Sequence, residues 1–153
     1  MPPKKTFAGS FRVAGRGIAV AAGGRNFRIH LCAAIYVIWF AILGELWGAR
    51  LAALLICCAL VLCTEAVNTA MELLCDLYST EYNRLIAKIK DVAAGATLIS
   101  AVFSVIVGAV IFLDGEVLEN IWRNIVENPF WTVALALTVP VALIFILKTK
   151  KTK

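Results

Sequence analysis

The sequence predicts an all-α integral membrane protein: an amphipathic N-terminal surface helix, a core of three spans and a fourth, C-terminal transmembrane helix. Three observations predict it. Of 153 residues, 61% are hydrophobic and 16% charged, with a mean hydropathy of +0.87, a balance that no soluble single domain needs to fill its core. Stretches free of formal charge run from Ile29 to Gly44, Leu51 to Thr64, Val92 to Leu113 and Asn128 to Leu147, and the last two suffice to cross ~30 Å of hydrocarbon as helices. Finally, the basic residues are unevenly placed: Lys4, Lys5, Arg12, Arg16, Arg25 and Arg28 before the first span, Arg84, Lys88 and Lys90 between the second and third, and Lys148, Lys150, Lys151 and Lys153 after the last. The other two loops hold only Arg50 and Arg123. By the positive-inside rule both termini and the second loop are cytoplasmic, which requires an even number of spans. The expected organisation is residues 1–28 as a cytoplasmic segment with the surface helix, 29–113 as the three-span core, and 114–153 as an acidic outer loop, the fourth span and a Lys-rich cytoplasmic tail.

Each element has its own justification. Phe7, Phe11, Ala14, Ile18 and Ala21 recur at helical spacing with Arg12 and Arg16 elsewhere on the wheel, the pattern of a helix lying on a membrane surface. Gly23 and Gly24 mark a break before span one, about Ile29 to Trp47. With Gly48 to Arg50 as the connection, span two runs from about Leu51 to Tyr78 as the return arm of an antiparallel hairpin. A polar segment, Ser79 to Lys90, leads into span three, which ends near Leu113. The acidic outer loop carries a surface turn around Leu118 to Val126, Pro129 suits a helix start, and Pro140 lies inside span four. No short apolar stretch with a small-residue cleavage site follows the basic start, so no removable signal peptide is expected. Cys32, Cys57, Cys58, Cys63 and Cys75 lie in apolar helical runs without CxxC spacing and read as small packing residues. The net charge of +5 reads as topology signals and contacts to anionic lipid, with no nucleic-acid partner.

Chemistry concentrates in span two. Glu65, Asn68, Glu72 and Asp76 fall near 0°, −60°, −20° and +20° on the helical wheel, one stripe rising roughly 16 Å along the axis. Carboxylates at membrane depth are costly and normally face a bundle interior, a cavity or a cation. A second polar island, Lys90-Asp91, opens span three and precedes Ala93-Ala94-Gly95-Ala96, small enough for close approach of a backbone or ligand. Carboxylates, an amide and a Lys-Asp pair on the ATP-accessible side suit phosphoryl transfer, whose catalysis is mainly positioning and charge neutralisation. Glu72 and Asp76 also fit solvated positions at the end of a long helix, and Lys90-Asp91 a helix-terminal pair. Glu65 alone also fits the proton-binding carboxylate of a small four-helix transporter. With neither a GxxxxGK[ST] loop nor a protein-kinase signature, these residues alone define a polar site in a four-helix membrane protein.

The stretch Arg25-Asn26-Phe27-Arg28-Ile29-His30-Leu31, the pattern E-x-x-N-[ST]-A-x-E-x-x-x-D from Glu65 to Asp76, and Ala87 to Ala96 with its Lys90-Asp91 resemble the prokaryotic diacylglycerol kinase and undecaprenol kinase family over about Ser10 to Leu113. The resemblance is closer to the Gram-positive branch. It implies a homotrimer in the bacterial inner membrane, active sites shared between neighbouring subunits, ATP and Mg²⁺, and a lipid alcohol, undecaprenol or diacylglycerol, as acceptor. It further implies Glu65 as general base, Glu72 as metal ligand, and Asn68, Asp76, Glu81, Tyr82, Lys90 and Asp91 around the nucleotide, with Arg28 and Gly95 in substrate or positioning roles. For Arg28 and His30, interfacial anchoring is the alternative. Two departures stand out. Gly24 occupies the position of a second metal-ligand glutamate, which raises the alternative of a non-catalytic homologue, and the fourth span is absent from the usual three-span form.

Overall fold

The computed structural model describes residues 6–79 and 81–147, so Lys4, Lys5 and the Lys-rich tail lie outside the described residues. It is all-α: helices α1 (Phe7–Ala21), α2 (Arg25–Leu43), α3 (Gly48–Tyr78), α4 (Arg84–Phe112), α5 (Gly115–Glu127) and α6 (Pro129–Leu147), with no strand among the described residues. The helices α2, α3, α4 and α6 are each long and apolar enough to cross a membrane.

Thr6 caps α1, its hydroxyl accepting from the Gly9 N–H at 3.3 Å. Phe7 and Phe11 stack edge to face at 5.0 Å and stay exposed with Ile18, while Ala21, at the end of the same stripe, is buried, and α1 touches α3. The glycine break falls where the sequence places it, with the Gly24 N–H closing on the Ala21 carbonyl at 2.9 Å.

The connection of α2 to α3 is not at Gly48–Arg50, which already belong to α3, but at residues 44–47. The Leu46 N–H donates to the Ala41 carbonyl at 2.9 Å and the Glu45 N–H to the Ile42 carbonyl at 3.1 Å, the paired closure of a Schellman cap. Such a cap needs a left-handed residue, here Glu45 at φ 54°, and the chain then re-enters a helix through Gly48 at φ 58°. Leu46 turns inward and joins Ala41, Leu54, Ile111 and Val117 in the hydrophobic core, which sits at this end of the bundle.

At 31 residues α3 is about 46 Å long, well beyond the ~30 Å of hydrocarbon, so its far end projects past the apolar slab. It returns through residues 79–83 into α4, whose start is capped by Asn83 Oδ1 accepting from the Leu85 and Ile86 N–H groups. The antiparallel α3–α4 pair is the most extensive contact in the fold, and α2 packs along α3.

The acidic loop expected to hold only a surface turn forms α5, a 13-residue helix. Asp114 caps it, accepting from the Glu116 N–H at 3.1 Å, and Val117 and Ile121, one turn apart, dock on the core beside Gly44. Helix α6 starts at Pro129 and leans on α2, with Trp131 edge to face against Trp39 at 5.8 Å.

Candidate functional site

The polar stripe of α3 faces two different environments. Glu65 and Asn68 are 4% and 3% exposed, inside the bundle, whereas Glu72 and Asp76 are exposed nearer the projecting end. The two halves are linked: Asn68 Nδ2 donates to Glu72 Oε1 at 3.4 Å, leaving Asn68 Oδ1 buried without a partner. At the surface Lys90 Nζ donates to Asp76 Oδ1 at 2.6 Å, joining the α3 stripe to the Lys-Asp island of α4.

Around Glu65 the neighbours come from three helices: Thr97 of α4, His30 of α2 and, along its own helix, Glu72. Thr97 and Ser100 are buried with Glu65 and Asn68, so the α3–α4 seam is polar at this level and apolar beyond it. Nothing in the sequence analysis singles out Thr97 or Ser100. For Thr97 a signal lies on α4, where Lys90, Thr97 and Ser104 recur every seven residues, within about 40° of one another on the helix. From His30 outward, the small residues Ala33, Ala34, Cys57, Cys58, Ala101 and Gly108 line a cavity of about 150 Å³ between α2, α3 and α4. Cys32 and Cys75 are buried and Cys57 and Cys58 half-buried, whereas Cys63, expected as a packing residue, is exposed.

The remaining expected residues are dispersed. Asp91 is exposed beside Lys90, and Glu81 and Tyr82 are exposed in the α3–α4 connection, where the Glu81 N–H donates to Ser79 Oγ at 3.1 Å. No hydrogen bond or ion pair links these three to the rest of the set among the described residues. Beside Gly95 there is open space: no atom lies within 4 Å of where a Cβ would stand. Arg28 is buried, and its guanidinium donates to the carbonyls of Gly23, Gly24 and Phe145, the last at 2.8 Å, so it ties the glycine break to α6.

Among the described residues no three His, Cys, Asp or Glu side chains converge on one point. A magnesium ion does not need them, because it keeps several waters and is usually held by one or two carboxylates plus substrate phosphates. The exposed Glu72 carboxylate is one hard oxygen donor of the right kind, and the orphaned carbonyl oxygen of Asn68, whose amide nitrogen meets Glu72, is a second donor on the same helix face. Gly24 contributes none, and a side chain added there would meet the Ala21 carbonyl at 3.3 Å.

The prokaryotic diacylglycerol kinase family matches residues 12–112, a region that ends with α4 and leaves α5 and α6 outside. A diacylglycerol kinase of Synechocystis is 42% identical over 106 residues, covering 68% of this chain but 61% of that protein. An undecaprenol kinase of Bacillus subtilis is 38% identical over 108 residues, 70% of this chain and 88% of that protein. No solved structure matches the chain significantly. With its Glu65-to-Asp76 stripe, its Lys90-Asp91 island and two thirds of its length matched, the chain belongs to the prokaryotic diacylglycerol kinase family.

Proposed function

We propose that this chain is an ATP-dependent lipid kinase of the bacterial inner membrane, transferring the γ-phosphate of ATP to the hydroxyl of undecaprenol or diacylglycerol. The observation that carries the reading is the ladder on α3: a buried carboxyl at Glu65, then on the same face the bonded pair Asn68 and Glu72, and at the surface Asp76 accepting from Lys90. A lipid alcohol lies within the bilayer and a nucleotide in water, so their reaction needs a polar path from hydrocarbon to surface.

Glu65 takes the proton of the primary hydroxyl as the lipid oxygen forms its bond to the γ-phosphorus, and the bond from that phosphorus to the bridging oxygen breaks to release ADP. Lys90, held in place by Asp76, neutralises phosphate charge with its remaining donors, and Asp91, Glu81 and Tyr82 flank the nucleotide. Glu72 and Asn68 Oδ1 would hold Mg²⁺, which neutralises charge on the phosphates. Both termini face the cytoplasm, and the dispersed Glu81, Tyr82, Asp91 and Gly95 support a homotrimer in which a neighbouring subunit completes each site.

The test is label transfer from γ-labelled ATP to diacylglycerol and to undecaprenol, side by side, by purified protein in micelles. Transfer to at least one lipid, abolished by a chelator, is expected. Substrate flux without ATP consumption would favour a transporter instead. Gly24 favours a second reading, a non-catalytic homologue, which predicts that ATP is bound and no lipid is labelled.

A further inference from the structure

Helices α3 and α4 meet through three rungs. Asp76 accepts from Lys90 at the surface end, and at the other end Ser104 Oγ, bonded within its own helix, lies 3.4 Å from the Cys57 carbonyl oxygen. Between them Glu65 faces Thr97, the middle member of the seven-residue series on α4. The rung is therefore set by antiparallel register, not by a chance rotamer.

The Thr97 hydroxyl behaves unlike those around it. Thr64, Thr69, Ser100 and Ser104 each donate to a carbonyl one turn back on their own helix, at 2.7 to 3.0 Å, the usual way a hydroxyl is satisfied in an apolar helix. Thr97 makes no such bond: it is 6% exposed, and its Oγ1 is buried with no hydrogen-bond partner. A buried, unmade bond is costly, so a hydroxyl kept at such a place is held for an acceptor. The acceptor beside it is the Glu65 carboxylate, adjacent but outside hydrogen-bonding geometry here.

We propose that Thr97 is a positioning residue for Glu65, its hydroxyl donating to one carboxylate oxygen so that the other is presented to the lipid alcohol. The inference rests on the reading of Glu65 as general base. A carboxylate has two equivalent oxygens and rotates freely about its last bond, so in a dry seam a single fixed donor decides which oxygen points at the substrate. The transferred proton goes to the free oxygen, and the Thr97 hydrogen bond persists throughout. The methyl group of Thr97 fills the seam independently, which separates its packing role from its polar one.

Thr97→Val keeps the shape and removes only the hydroxyl, and Thr97→Ser keeps the hydroxyl. With purified full-length protein, lipid alcohol and Mg-ATP, Thr97→Val is expected to lower kcat about 10- to 100-fold with KM for ATP unchanged. Thr97→Ser is expected to stay within about threefold of wild type, and Thr97→Ala to share the loss of the valine variant should that one fail to fold. Undiminished kcat in the valine and alanine variants overturns the proposal. So does an equal fall in the serine and valine variants, or a loss confined to KM. Failure of the underlying reading looks different: no labelled lipid from wild type, or full activity in Glu65→Gln, would remove the base itself before Thr97 came into question.

Discussion

The α5 cap and the inner half of the α3–α4 seam are both polar, yet they solve opposite problems. At the cap the polar side chains turned toward α2 and α3 are paired. Arg123 pairs with Glu45 at 3.1 Å and Arg50 with Asp114 at 3.2 Å, while Asn124 donates to the Leu43 carbonyl at 2.9 Å and Asn120 to that of Gly44 at 3.5 Å. These bonds satisfy the carbonyls at the end of α2 and hold Glu45 in its left-handed conformation. In the seam the balance is reversed: Asn68 Oδ1 and Thr97 Oγ1 are buried without partners, and Glu72 is exposed with one long contact. Polar groups that complete one another build a structure, whereas polar groups left incomplete are available to a ligand.

If that division holds, substitutions in the seam change turnover and those in the cap change stability. The largest effect is expected at Glu65→Gln, which removes the base while nearly preserving volume and should lower kcat by about 10²- to 10⁴-fold. Label transfer at the wild-type rate in that variant would end the comparison. Next comes Asp76→Asn, which removes the charge that Lys90 contacts. ATP titrations should show KM raised about tenfold, since a charge-assisted bond is involved. Because the two side chains are 36% and 63% exposed, the stability of the fold should hardly change. On the cap side, Gly44→Ala places a Cβ 2.9 Å from Val117 Cγ1 and 3.2 Å from the Phe40 carbonyl. Overpacking of that kind costs about 1–3 kcal/mol, so the melting temperature in detergent should fall while kcat per folded molecule is unchanged. A drop in kcat at constant stability would show that the cap takes part in the chemistry after all.

Much of this contrast is legible in the residues, and the illegible parts have physical causes. The apolar runs report four spans because hydrocarbon tolerates little else, and the spacing of Glu65, Asn68, Glu72 and Asp76 reports a shared face because helical geometry is regular. Which members are buried depends on where α4 crosses, and the pattern of one helix does not contain that. Thr97 does not stand out in the sequence because a threonine in an apolar helix ordinarily bonds to its own backbone. The α5 helix is hidden there because its acidic composition outweighs Val117, Ile121 and the Asp114 cap. Residues 44–47 rather than 48–50 form the turn between α2 and α3 because Glu45 takes the left-handed position usually given to glycine. For Arg28, a residue expected near substrate, the partner is Phe145 of the fourth span, 117 positions away.

The central claim is that the ladder from Glu65 to Lys90 opens on the side of the membrane where ATP is found. Sealed vesicles of known orientation, given membrane-impermeant labelled ATP from outside, test it most directly. Inside-out vesicles should label their lipid and right-side-out vesicles should not. Labelling in right-side-out vesicles, or in neither orientation while the detergent-solubilised protein is active, would contradict it.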